Sequence, residues 1–347
     1  MMRHYLDMKE KYKGCILFYR LGDFYEMFFE DAEKVSKLLD LTLTGKDCGL
    51  EERAPMCGIP YHAADVYISK LVALGEKVAI CEQLSDPKES KGLVERDVVR
   101  VVSAGTLIDD AMLDETKNNY IACLFKSGES IAAALTDITT GEFSVAEFSG
   151  VSALEDTITQ IVKLSVAEVI CNEEMLLASK DVKEIRHNLL PAFSCYVPWA
   201  FNVKHAEKNL LEQFQTLSLA AYGIAGKENA IAAAGALVEY LRETQKHSLS
   251  NINSVKVVDH EQYMVLDSIA VSYTHLRAHE TVRKKYGSLL WLIDKTRTGM
   301  GARLLNQMVL SPLKDIEKIN YRQEGVAELF NASVVRMGLS DTLREVK

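Results

Sequence analysis

Three short β-forming segments in succession constrain the fold of this chain more than any other feature. Residues 119–126, 131–138 and 142–148 are rich in apolar strand formers, and Ser127-Gly128-Glu129 and Thr139-Thr140-Gly141 stand between them as turns. Together they predict a β-meander. A helix over about 152–165 and a short strand, Glu168-Val169-Ile170-Cys171, follow it. A meander feeding an α/β layer reads as a separate domain. The 347 residues leave room for one or two more, at about 150 residues per domain.

Upstream, the pattern is mixed α/β. Residues 15–20 read as a buried strand and Leu21-Gly22-Asp23 as a turn. A helix is then expected to about Leu39, with Phe24, Phe28, Ala32, Val35 and Leu39 at helical spacing. After a polar loop, Pro60 is expected to start another helix that ends near Gly75. Residues 77–83 and 97–103 are β-rich. Downstream, Pro191 and Pro198 mark an irregular stretch, and from about 207 the chain turns helical. Residues 228–246 are alanine-rich, and 284–310 and 314–346 also read as helices. The alanine-rich helix is expected to pack internally rather than to extend as a coiled-coil arm.

Composition excludes several classes. With 48% hydrophobic and 26% charged residues the chain can bury cores and is not a disordered tail. No uncharged apolar run approaches the roughly 18–20 residues of a membrane span, and the charged, amphipathic start argues against a secretory signal. Seven cysteines, at 15, 48, 57, 81, 123, 171 and 195, are odd in number and form no CxxC. They suit reduced thiols in a cytoplasmic setting. Cys48, Cys57 and His62 lack a fourth ligand at a usual spacing, so no metal is expected there. The net charge of −9 argues against a globally basic nucleic-acid binder. Charge is uneven, however: residues 1–103 carry 15 Lys+Arg and 18 Asp+Glu, net −3, and residues 283–347 carry 12 and 7, net +5. Any contact with DNA must be local.

The segment with most to say is Tyr19-Arg20-Leu21-Gly22-Asp23-Phe24-Tyr25-Glu26-Met27-Phe28-Phe29-Glu30-Asp31-Ala32. By spacing alone, Asp23 and Glu26 suit a capping box and Phe24 opens an apolar helical stripe. The same segment resembles the Phe-X-Glu motif of the MutS family of DNA mismatch-recognition proteins. Further blocks follow in family order: Pro55-Met56-Cys57-Gly58-Ile59-Pro60-Tyr61-His62-Ala63, Val78-Ala79-Ile80-Cys81-Glu82-Gln83, Asp86-Pro87, Val94-Glu95-Arg96 and Gly105-Thr106. Far downstream, Gly287-Ser288-Leu289-Leu290-Trp291, Met300-Gly301-Ala302-Arg303-Leu304-Leu305 and Ser311-Pro312-Leu313 resemble the family's lever region. The resemblance covers nearly the whole chain.

The resemblance implies an α/β multidomain protein: an N-terminal mixed α/β mismatch-recognition domain (1–104), an RNase H-like α/β connector (105–243) and an all-α lever segment (244–347). Phe24 would be an aromatic wedge that enters the minor groove and stacks on a mispaired or unpaired base. Glu26 would accept a hydrogen bond from the displaced base. Arg53, Arg96 and Tyr25 would contact the DNA backbone, and Met56 would line the groove or belong to the core. No catalytic, cofactor-binding or metal-binding residue is expected in this chain. Expected partners are mismatched double-stranded DNA and a MutL-type repair protein, in a bacterial cytoplasm and associated with the nucleoid. The full-length family forms dimers and uses ATP and magnesium; a monomer is the expectation for this piece.

No GxxxxGK[ST] phosphate loop occurs, so ATP cannot be placed on any residue here, and the chain is expected to be truncated within the lever region. One stretch departs from the family pattern. Val271-Ser272-Tyr273-Thr274-His275-Leu276-Arg277-Ala278-His279-Glu280 follows Asp267 where a basic Asn-Leu-Glu-Leu segment is usual, and His275 and His279 have i, i+4 spacing. Two alternatives accompany the mismatch-sensing reading. One is a MutS-like scaffold that recruits partners without mismatch preference. The other is an RNase H-like nuclease built on Asp137, for which no second and third carboxylate partner stands out.

Overall fold

In a computed structural model of the chain, residues 1–48, 53–84, 95–109, 112–186, 190–246, 249–266 and 288–346 are described. Asp86-Pro87, Gly287 and the 271–282 stretch with His275 and His279 lie outside them. The described chain divides into two units, Met1–Met112 with Val238–Ser250, and Leu113–Leu237 with Asn251–Lys347.

The first unit runs α1 (Met2–Lys11), β1 (Cys15–Leu21), β2 (Phe24–Phe28), α2 (Phe29–Leu39), β3 (Thr44–Lys46), β4 (Ala54–Pro60), α3 (Ala64–Ala73), β5 (Lys77–Gln83) and β6 (Arg96–Val102). The six strands form one sheet in the order β3-β4-β2-β1-β5-β6. Only β1 and β5 pair in parallel. Strand alternation divides the apolar residues between two faces. Ile16, Phe18, Tyr25, Met27, Ile59 and Val78 pack with Val35, Ile68 and Leu71 of α2 and α3. Leu17, Tyr19, Phe28, Ala79 and Cys81 pack with Tyr5 and Met8 of α1.

The expected helix over 24–39 is two elements. Phe24–Phe28 is a strand, and the helix starts at Phe29. The reason is the turn before it. Gly22, at φ +60°, occupies the first central position of a two-residue hairpin that pairs Leu21 with Phe24 and Arg20 with Tyr25. Once the hairpin closes, β4 pairs with the other edge of β2, and no side-chain cap forms at the start of α2. The capping-box reading of Asp23 and Glu26 therefore falls. Pro60 likewise ends β4 instead of starting a helix; a short 3-10 turn, Tyr61–Ala63, leads into α3.

The second unit contains β7 (Tyr120–Ser127), β8 (Ser130–Asp137), β9 (Glu142–Ser149), α4 (Ala153–Leu164), β10 (Glu168–Cys171), α5 (Glu173–Arg186), β11 (Phe193–Cys195), α6 (Val203–Gln213), the start of α7 (Glu228–Gln245) and β12 (Lys256–Val257). Its sheet has the order β11-β10-β7-β8-β9-β12. The meander is present as expected, with β8 paired antiparallel along its whole length to both neighbours. Strands β10, β11 and β12 join in parallel. Among the described residues, the helices that follow are α8 (Leu289–Ile293), α9 (Gly299–Leu310), α10 (Ile316–Asn331) and α11 (Ser333–Arg344). Each of the last two expected helices is thus divided, the final one at Ala332.

Helix α7 is buried along most of its length, from Ala230 to Leu241, with Gly235 against α6. That agrees with internal packing and rules out an exposed arm. A Cβ at Gly235 would lie 2.4 Å from both Cα and Cβ of Ala206. Gly235→Ala is therefore expected to destabilise the fold by about 2 kcal/mol through overpacking, read as a lower urea midpoint with an unchanged slope.

Candidate nucleic-acid interface

The hairpin turn places Phe24 at the tip of the first sheet, with Leu21 and Pro60 as its cross-strand neighbours. The Phe24 side chain is 47% exposed, whereas the other β2 aromatics, Tyr25 and Phe28, are buried. The half-exposed ring belongs to neither apolar cluster of this sheet. Because side chains on a strand repeat every second residue, Glu26 and Phe28 share the face of Phe24. On the expected helix, positions 24 and 26 would have pointed apart; on the strand the aromatic and the acid stand side by side.

The three side chains of that face have different surroundings. Phe28 is sealed under α1, edge-on to Tyr5 at 5.0 Å between ring centroids. Glu26 is 16% exposed at its side chain and accepts a hydrogen bond from Lys46 Nζ at 2.5 Å. Phe24 lies beside Gly58 of β4, where a Cβ would come within 3.9 Å of its Cδ1. Met56, half-buried on β4, pairs with Phe28 and Thr44 and lies on the same face. Arg96, at the start of β6, also faces this way: its guanidinium sits 5.5 Å from the Tyr19 ring and its Nε donates to the Arg20 carbonyl at 2.9 Å. Arg53 is exposed immediately before β4, beside Gly45 of β3.

Tyr25 is turned to the other face and buried. Its hydroxyl donates to Glu82 Oε1, and burial, reinforced by that carboxylate, raises the phenol well above its usual range. Glu82 Oε1 also lies 3.6 Å from Arg20, whose guanidinium is 3.8 Å from the Tyr61 ring centroid and whose Nε donates to the Gly22 carbonyl at 2.6 Å. The Tyr61 amide donates to the Asp23 carbonyl at 3.0 Å. Arg20 and Tyr61 thus brace both sides of the turn that presents Phe24. Sequence reasoning missed these two and Lys46. Tyr61 lies within the family-like segment Pro55–Ala63, but Lys46 lies in what reads as a polar loop and has no local signal.

Elsewhere, the candidate polar side chains are engaged within the fold. Asp137, fully buried at the end of β8, has both oxygens engaged. Oδ2 accepts from Asn118 Nδ2 at 2.8 Å and the Asn119 amide at 3.2 Å; Oδ1 accepts from the Thr139 amide at 2.9 Å and Thr139 Oγ1 at 2.6 Å. Cys57 donates its thiol to the Ala32 carbonyl at 3.5 Å, and burial pushes its pKa up to about 11. Among the described residues, no group of three or more His, Cys, Asp and Glu side chains could hold a metal ion, and no helix is long and apolar enough to cross a membrane.

Residues 1–111 match the family model described as MutS domain I, residues 119–253 that of MutS domain II and residues 271–347 that of MutS domain III. Over essentially its whole length the chain is 44% identical to the DNA mismatch repair protein MutS of Lachnoclostridium phytofermentans, 43% to that of Alkaliphilus oremlandii and 46% to that of Ruminiclostridium cellulolyticum. It spans 37%, 40% and 39% of those relatives. Fold and interface define a multidomain α/β protein that carries an exposed aromatic beside a charge-paired carboxylate at the edge of its first unit. The three models, in order along the chain, make the identification specific: the chain belongs to the MutS family.

Proposed function

We propose that this chain recognises mispaired or unpaired bases in duplex DNA, as the first step of DNA mismatch repair, with Phe24 as a minor-groove wedge. The observation that carries the reading is the solvent-exposed Phe24 ring at the sheet tip with Glu26 two residues along on the same face. An inserted aromatic unstacks a base step at a cost of about a few kcal/mol. A mismatch has already lost part of its pairing and stacking energy, so the wedge enters there at lower cost. Discrimination arises from deformability, which suits detection of many different errors without a fixed sequence.

Glu26 complements the wedge as an acceptor for the displaced base. A carboxylate close to phosphates disfavours ordinary duplex, and a base donor offsets that penalty only where a base is displaced. Glu26→Gln is therefore expected to raise affinity for matched duplex by about threefold, within the range of one screened charge interaction, while narrowing the gap to a G·T duplex. Mobility shifts with the two duplexes test this, and an unchanged matched affinity would count against the role.

In the same proposal Arg53 and Arg96 contact the DNA backbone, and Met56 lines the groove beside the wedge. Tyr25, buried against Glu82, belongs to the scaffold under the turn. The division into recognition (1–104), RNase H-like connector (105–243) and lever (244–347) parts is part of this reading. So are a MutL-type partner, a location in the bacterial cytoplasm, and the use of ATP and magnesium by longer members. The occupied oxygens of Asp137 favour a structural role over a nuclease one.

A further inference from the structure

Lys46 lies on the edge strand β3, with the whole of β4 between it and β2. Its ammonium nevertheless reaches Glu26 Oε2 at 2.5 Å. The register explains how. Lys46 pairs with Ala54 and Glu26 with Gly58, so both ends of the path over β4 are small, and the lysine stem runs past Met56 and Phe28 between them. The ammonium also lies 5.6 Å from the centroid of the Phe28 ring, the next side chain after Glu26 on this face. Ring and carboxylate together fix a side chain that would otherwise be a free surface lysine. The Lys46 side chain remains 32% exposed, and among the described residues Glu26 Oε1 has no hydrogen-bond donor.

We propose that Lys46 is a positioning and specificity-determining residue that acts through Glu26. It holds one carboxylate oxygen, offsets only part of the charge that disfavours ordinary duplex, and leaves the second oxygen free for a base donor. Without it, the carboxylate would rotate freely and its second oxygen would no longer be held towards the base. With it, the acid is a fixed, directional acceptor. This inference rests on the reading of Phe24 and Glu26 as the mismatch-sensing pair.

The test uses the full chain, fluorescein-labelled matched and G·T duplexes, and anisotropy titrations of wild type, Lys46→Met, Lys46→Arg, Glu26→Gln and the Lys46→Met/Glu26→Gln double variant. Lys46→Met is expected to lower the G·T over matched preference about fivefold, equivalent to about 1 kcal/mol, the upper end for a partly exposed ion pair. Lys46→Arg retains the preference within about twofold, because a guanidinium can hold the same oxygen. In the Glu26→Gln background, Lys46→Met changes the preference no further. Equal weakening of both duplexes by Lys46→Met in both backgrounds would mean a plain phosphate contact and overturn the proposal. So would no change in any titration. A wild-type chain without G·T preference would instead remove the reading beneath it, a result separable from failure of Lys46 alone.

Discussion

Phe24→Ala removes most of the preference for a G·T duplex over a matched one. A base stacked on an aromatic ring contributes about 1–3 kcal/mol, so the affinity ratio is expected to fall by roughly 5- to 150-fold. Affinity for matched duplex should change little, since the wedge is not inserted there. The fold should be unaffected: Phe24 is half-exposed and stands outside both apolar clusters of its sheet. A thermal melt superimposable on wild type, with discrimination lost in mobility shifts, is the expected pair of results. Unchanged discrimination would refute the wedge.

The largest expected loss of stability comes from Asp31. This buried carboxylate in the first turn of α2 accepts from Lys9 Nζ at 2.7 Å and the Leu17 amide at 3.0 Å. Tyr5 Oη lies 3.4 Å from it and receives the Phe28 amide at 3.1 Å. One acid thus ties α1, β1 and the end of β2 together. Asp31→Ala would leave the Lys9 ammonium and the buried Leu17 amide without their carboxylate partner. Breaking one member of such a pair destabilises by about 3 kcal/mol. The measurement is equilibrium urea unfolding followed by tyrosine fluorescence. Because β2 carries Phe24, mismatch preference should fail in the same denaturant range as the fold. A change below about 0.5 kcal/mol would show that Asp31 does not hold this junction.

The meander and β10 were legible because their signals are local: apolar segments of strand length, separated by turns with glycine. The burial of α7 was legible in its alanine content. Residues 24–28 were not, for a definable reason. Phe24 and Phe28 are four apart, a spacing that fits one face of a helix and one face of a strand equally. The hairpin closed at Gly22 decides between them, and a second partner strand about thirty residues away completes the pairing. That second partner, β4, contains Pro55, Gly58 and Pro60 and reads as loop, so the sequence offers no strand for β2 to pair with there. The family resemblance named Phe24 and Glu26, but only the strand brings them onto one face. Lys46 was illegible because its reach to Glu26 depends on the register of three strands. Arg20 and Tyr61 were missed because their stacking exists only once the hairpin and β4 have met. The helix over Glu173–Arg186 carries seven charged side chains in fourteen residues, which hides its apolar positions.

The most direct test of the wedge places 2-aminopurine next to a G·T pair and follows its fluorescence as the chain is added. If Phe24 pries the step apart, the signal should rise with wild type on the mismatched duplex. It should stay flat on the matched duplex and with Phe24→Ala. An equal rise for wild type and Phe24→Ala would contradict the account.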